Sequence, residues 1–385
     1  MRGSVVRRGK SWSVVIELPR ESETGKRQQR WHSGYRTKKE AERARIDLLA
    51  KADAGTYVEQ HRQTLAEFLN DWFPAIAPTI RPATLYSYQR NARLHVTPYI
   101  GSLTLQKIDA GTLNTLYARL LEDGSKHQRG GGLSPRSARY VHTILHRALK
   151  DAVRWGRLAR NPADAADPPR ASASAQPEIK TWSAPELRGF LESLADDRHY
   201  AAWVLLSTTG MRRGEALGLR WSDLDLEARR ASIRQTVIAV NHEVLFGTPK
   251  TAKGRRFIEL DAGTVAALRA HRQRQLEERL LIGSGWRDLD LVFCKPTGEP
   301  LHPERFSRDF AKRVERGGFS RIRLHDLRHT WATLALGAGV NPKIVQERLG
   351  HASVGITLDI YSHVTPAMQR DAAETVAGLV FGEQT

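Results

Sequence analysis

At 385 residues and a formal net charge of +18, with a pI near 10.3, the chain has room for two or three domains of about 150 residues each, and its charge favours a polyanionic partner, nucleic acid before membrane. No apolar run approaches the ~20 residues that cross a bilayer, and Met1-Arg2-Gly3-Ser4 leads into mixed polar sequence with no signal peptide. Cys294 is the single cysteine, which excludes an intrachain disulfide and a cysteine-built zinc site; the expected compartment is a reducing cytoplasm, with no membrane partner.

Residues 1–60 read as a small sheet followed by a helix. Ser11 to Leu18 has strand-like aromatic and β-branched content, Thr24-Gly25 signals a turn, and Arg27 to Tyr35 returns as a second or third strand. Thr37 then caps a helix through Ala41, Ala44, Leu48 and Leu49, with Glu40 completing a capping box. Residues 61–165 are helical. Thr64 precedes Leu65, Phe68, Leu69, Trp72 and Phe73, and Asp109 precedes Leu113, Leu116, Tyr117, Leu120 and Leu121. Ser134-Pro135 opens a third helix whose stripe runs through Tyr140, Val141, Ile144, Leu145, Ala148, Leu149 and Val153, with Gly156 placed to stop it. These stripes are expected in a core, and Gly124 to Gly132 forms a Gly-rich connection. The excess charge is +6 over residues 1–60, +8 over 61–170 and only +4 over the remaining 215. Basic surface gathered in the first 170 residues suits phosphate contacts that position a protein on DNA.

A Pro-, Ala- and Ser-rich stretch from Pro162 to Pro177 marks the linker, set at 166–180 between the helical module and a last domain, 181–385. Ser183-Ala184-Pro185-Glu186 is a capping box that opens that domain. Helices dominate it, interrupted by strands at 232–240, 244–246 and 256–260, with Thr248 to Gly254 as a connecting hairpin. Leu291 to Cys294 reads as a buried strand holding a core thiol. The fold class is mainly α with small β-sheets, α+β and multidomain.

The chemistry lies near the C-terminus. His325 and Arg328, in Leu-His-Asp-Leu-Arg-His, are i and i+3 and share a helix face; Leu349-Gly350-His351 and Tyr361 follow. A guanidinium fork matches phosphate oxygens, an imidazole donates to the same group or moves its proton, and a phenol aimed at the phosphate is a nucleophile that forms a reversible ester. Upstream, Thr209-Gly210-Met211-Arg212-Arg213-Gly214-Glu215 adds a further arginine, with Arg213 its rival on spacing. With these motifs in this order, the chain resembles the tyrosine recombinase (phage integrase) family over nearly all of its C-terminal half.

The resemblance implies roles. Arg212 and Arg328 would grip the non-bridging oxygens of a scissile phosphate, with Glu215 an orienting acceptor behind Arg212. Lys250 would protonate the departing 5′ oxygen, with Lys253 a substitute; His325 would be base or hydrogen-bond partner, His351 a phosphate donor, and Tyr361 the nucleophile. The first module resembles an arm-site DNA-binding domain, with Arg7, Arg8, Arg27 and Arg30 as candidate contacts. The second resembles a helical core-binding domain of SAM-like type, whose Arg136, Arg139, Arg147 and Lys150 would face DNA along with Arg154 and Arg157. Implied partners are double-stranded attachment sites, a homotetramer on DNA and excision or DNA-bending factors; no metal or other cofactor is implied. The tail from Ala372 to Phe381 would dock on a neighbouring protomer or close its own core.

Other readings stay open on residues alone. A type IB topoisomerase uses the same chemistry, and resolution of dimers is a variant outcome; the arm-like module and the tail favour integration or excision. His325 and His329 at i and i+4 also resemble a zinc-hydrolase pair, with His351 or His363 as third ligand. That reading sets Arg328 beside the metal and leaves the upstream arginine without purpose. A non-catalytic DNA-binding regulator would have no need of the complete set.

Overall fold

The computed structural model describes residues 2–18, 28–54, 57–125, 131–170, 179–249, 255–351, 353–355, 358, 373–374 and 376–382. Arg27, Lys250, Lys253, Tyr361 and His363 lie outside them.

The chain divides into two units, Met1–Gln176 and Pro177–Thr385. In the first, β1 (Gly3–Arg8), β2 (Ser11–Leu18) and β3 (Gln28–Tyr35) form an antiparallel sheet in sequence order. Alternation along β2 sends Val14 and Ile16 onto one face, where Ala41 of α1 (Lys38–Asp53) meets them and all three are fully buried. Strand β1 was not expected: Val5-Val6 between polar and basic residues is too short a pattern, and pairing with β2 makes the strand. Thr37 caps α1 by accepting from the Glu40 N–H. The reciprocal half of the expected box is absent, because the Glu40 carboxylate takes the Arg36 N–H at 3.0 Å instead.

The helical part of this unit comprises α2 (Leu65–Ile76), α3 (Pro82–His95), α4 (Thr97–Ile100), α5 (Ala110–Asp123) and α6 (Pro135–Arg154). Thr64 and Glu67 form a reciprocal capping box, while Asp109 and Ser134 cap α5 and α6 through the N–H groups of Thr112 and Ser137. Phe68, Trp72, Tyr117 and Leu145 pack in one core, and the Trp72 indole donates to the buried Asp151 carboxylate at 2.9 Å. Tyr140 and Leu121, expected in that core, are exposed. Each neighbours a buried residue in sequence, Val141 and Leu120, and one step around a helix turns a side chain by about 100°. Helix α3 escaped the reading because only Tyr88, Ala92 and His95 on it are buried. Pro162–Ala165 is a 3₁₀ turn with Ala163 in the helical core, so the Pro-rich stretch starts as folded structure.

The second unit runs α7 (Ala184–Glu192), α8 (Tyr200–Thr209), α9 (Arg213–Leu217), β4 (Leu224–Asp225), β5 (Arg230–Ser232), β6 (Thr236–Val240), β7 (Glu243–Gly247), β8 (Phe257–Glu259), α10 (Ala262–Ile282), α11 (Pro303–Arg316), α12 (Asp326–Gly337) and α13 (Pro342–Leu349). Ser183 and Glu186 form the expected capping box. Trp182, Phe190, Trp203, Phe306 and Phe310 fill the core, Trp203 stacking on Phe306 at 4.3 Å. The strand expected at 232–240 is two strands in two sheets: β5 pairs with β4 and β8, and β6 with β7 through a turn at Asn241-His242, both with positive φ. Strands β7 and β8, which precede and follow Lys250, lie in different sheets, and most of the hairpin expected between them, residues 250–254, lies outside the described residues. Leu291 to Cys294 is buried but makes only isolated bridges, from Leu291 to Arg220 and from Cys294 to Pro300. Among the described residues no helix is long and apolar enough to cross a membrane.

Candidate active site

Helix α8 ends on Gly210 at φ +65°, a left-handed turn that an L-residue rarely adopts. A Cβ there would come within 2.8 Å of a Leu349 methyl and 3.0 Å of the Trp331 ring. The turn delivers Arg212 to the N-terminus of α9, where the main-chain N–H and the guanidinium of Arg212 both donate to Glu215, at 3.0 and 2.9 Å. Nη2 of Arg212 also reaches the Gly350 carbonyl at 3.2 Å, and the side chain stays 41% exposed.

Arg328 lies in the first turn of α12 and is almost fully buried. Its two Nη atoms donate to the carbonyls of Gly210, at 2.8 Å, and Leu349, at 2.6 Å. Two arginines distant in sequence are thus anchored on adjacent carbonyls where α13 ends, and Gly350 closes that helix at φ +65°. A helix C-terminus presents partly negative carbonyls, which suits cations.

Glu215 is buried, which alone would raise its pKa; donation and charge from Arg256, then Arg212, outweigh that and hold it below its ordinary value. Arg256 contributes two bonds to this carboxylate, at 2.9 and 3.2 Å. His325 precedes α12, its ring 5.2 Å from His329 and nearly perpendicular to it. Burial first, then His329, Arg328 and Arg212, push His325 down to about 4. Burial, then Arg328, Arg212 and His329, push His351 down to about 4 as well. Both imidazoles are therefore neutral at neutral pH, in a cationic field that a bound anion would relieve. Among the described residues no group of three His, Cys, Asp or Glu side chains is arranged to hold a metal ion.

Arg212, Glu215, His325, Arg328 and His351 converge; Arg213 does not join them. It donates to Ser307 at 2.6 Å and Glu304 at 2.9 Å on α11, because successive residues at a helix start diverge. Two members went unread in the sequence. His329 was weighed only as a metal ligand, although its i+4 spacing from His325 already placed it there. Arg256 belongs to no spacing pattern, and only its burial against Glu215 reveals it.

The DNA-facing candidates separate. Strand alternation sends Arg8 to the outer sheet face, its guanidinium 5.6 Å from the centre of the exposed Trp31 ring. Arg7 and Arg30 register on the α1 face, and Arg30 pairs with Glu59 at 3.0 Å. On α6, Arg136, Arg139 and Lys150 are exposed, whereas Arg147 is half-buried 5.9 Å over Tyr88. Of the tail, Val376, Leu379, Val380 and Phe381 are exposed, so they do not close their own core.

Four cationic or imidazole segments, carrying Arg212, Arg256, His325 to His329 and His351, thus meet near one helix end, and their combined positive field suits an anion. The Phage integrase family matches residues 183–368, an arm DNA-binding domain residues 4–52 and a phage integrase N-terminal SAM-like domain residues 64–121. A tyrosine recombinase XerC-like protein of Caldanaerobacter subterraneus subsp. tengcongensis is 28% identical over 97% of this chain and 98% of its own length. The ICEBs1 integrase of Bacillus subtilis is 27% identical over 74% of this chain and 75% of its own. Among solved structures, the Tn1549 transposon integrase in complex with a circular intermediate DNA superposes at TM-score 0.66, with 21% identity, over 82% of this chain and all of that one. A lambda integrase tetramer bound to a Holliday junction gives 0.55, with 16% identity, over 92% and 93%. The chain belongs to the phage integrase family of tyrosine recombinases.

Proposed function

We propose that the chain is a site-specific DNA recombinase that integrates or excises a mobile element through a 3′-phosphotyrosine intermediate. The observation that carries this is the anchoring of Arg212 and Arg328 on the adjacent carbonyls of Gly350 and Leu349, with His325 and His351 in their field. The two guanidiniums would take the non-bridging oxygens of one phosphodiester. Displacement at phosphorus passes through a more negative, pentacoordinate transition state, so preorganised cations lower the barrier selectively.

In this reading the Tyr361 oxygen attacks phosphorus and the bond to the 5′ oxygen breaks. Lys250 gives that oxygen its proton, and neutral His325 takes the phenolic proton. His351 donates to a phosphate oxygen. The phosphotyrosine conserves the diester, so a 5′-hydroxyl of a second strand attacks the same phosphorus, expels the phenol and joins exchanged partners through a Holliday junction. Neither a nucleotide nor a metal is called on.

Residues 1–60 and 61–165 would bind arm and core sites on duplex DNA, consistent with the basic excess in the first 170 residues. Four copies would assemble on DNA, their exposed tails making contacts between protomers, with excision or bending factors as further partners. The test uses a nicked duplex spanning the direct repeat that flanks the encoding gene, from which the short fragment bearing the released 5′-hydroxyl escapes. The wild-type protein should become covalently joined to the 3′ phosphate that remains on the duplex. Tyr361→Phe should bind the duplex and form no adduct; an adduct with that variant would refute the assignment.

A further inference from the structure

We propose that Arg256 is a positioning residue for strand cleavage, aiming Arg212 through Glu215 and fixing the end of α13. This rests on the reading that Arg212 and Arg328 hold the scissile phosphate. Three successive carbonyls at the end of α13 each receive a guanidinium: Arg348 from Arg256 Nε at 2.7 Å, Leu349 from Arg328 at 2.6 Å, and Gly350 from Arg212 at 3.2 Å. The last carbonyls of a helix lack amide partners within it, so the end of α13 serves as a common platform.

Arg256 differs from the other two in what else it holds. Its Nη atoms both go to Glu215, and its side chain is 8% exposed, against 41% for Arg212. It is thus the buried half of an Arg–Glu–Arg bridge whose outer half points toward solvent. With Arg256 present, Glu215 is shared, and Arg212 is held without being wholly claimed by the carboxylate. Without it, Glu215 has Arg212 as its main counter-charge and draws that guanidinium inward. Arg256 also directly precedes β8, so its anchors help set where that strand begins. A misplacement of about 1 Å in such a group costs on the order of a hundredfold in rate.

The experiment measures single-turnover adduct formation on the nicked duplex for Arg256→Lys, Arg256→Gln and Arg212→Lys, with duplex binding and thermal melting alongside. Each is repeated with a methylphosphonate at the scissile position, where a neutral methyl replaces one charged oxygen. We expect Arg256→Gln to bind duplex as the wild type does and to cleave about ten- to a hundredfold more slowly. That deficit should shrink on the methylphosphonate, in step with the deficit of Arg212→Lys. A purely architectural role would slow both substrates equally, and that result, or wild-type cleavage by Arg256→Gln, would overturn the proposal. If the Gln variant does not melt cooperatively, Arg256→Lys, which keeps the charge and loses the fork, carries the same comparison. Normal cleavage by Arg212→Lys would instead remove the functional reading beneath it.

Discussion

Replacing Arg328 with lysine separates two things that the guanidinium does at once. In the native chain its fork spans from the Gly210 carbonyl at 2.8 Å to the Leu349 carbonyl at 2.6 Å, from an almost fully buried position. An ammonium keeps the charge but is a compact point donor on a flexible stem, and it cannot reproduce the planar two-carbonyl geometry. Losing one charge-assisted hydrogen bond and leaving its carbonyl underserved costs about 1.5–3 kcal/mol. The melting temperature should fall while the transition stays cooperative. Cleavage should suffer more, because a lysine drawn to one carbonyl no longer presents a fixed donor to the phosphate. Loss of one preorganised donor to a transition-state oxyanion costs roughly a hundred- to a thousandfold in rate. Melting and single-turnover adduct formation on the same preparation measure both effects. Cleavage by Arg328→Lys within threefold of wild type, on the order of 0.6 kcal/mol or less, would show that this guanidinium is scaffold and does not hold the phosphate.

Gly210→Ala adds a methyl at φ +65° within 2.8 Å of Leu349; left-handed backbone alone costs roughly 1–2 kcal/mol for an L-residue. It should lower the melting temperature and slow cleavage, since the Gly210 carbonyl anchors Arg328; unchanged values for both would refute this. Asp151→Ala strips the buried acceptor of the Trp72 indole and should destabilise the chain by about 1–3 kcal/mol, read by chemical denaturation. The histidines give a pH dependence of defined sign. His325 and His351, held near 4 in the folded protein, take up protons first in the unfolded chain, so their contribution is full above about 6.5 and fades as pH falls toward about 4. The melting temperature of the free protein should therefore drop between pH 7 and 4.5, less steeply for His351→Asn; identical slopes would exclude His351 as a contributor.

The amino-acid sequence by itself determined where several helices start and which side-chain chemistries the site has to work with. Helix starts at Thr64, Asp109, Ser134 and Ser183 were legible because capping is a local matter, settled within a few residues by one side chain and one N–H. Arg212, His325, Arg328 and His351 were picked out as a set by resemblance to a family's motifs, and the fold brings them into one another's electrostatic field. Strand β1 was not, nor was the division of 232–240 between two sheets, because pairing depends on partners elsewhere in the chain. Nor could the sequence separate Arg212 from Arg213 by more than a motif; the packing of α9 against α11 sends one toward the carbonyls of α13 and the other to Glu304. Arg256 was wholly a tertiary matter. A lone arginine before a short strand carries no local signal, and its meaning comes from the Glu215 carboxylate and the α13 carbonyl that the fold brings to it, at distances where burial makes charge count.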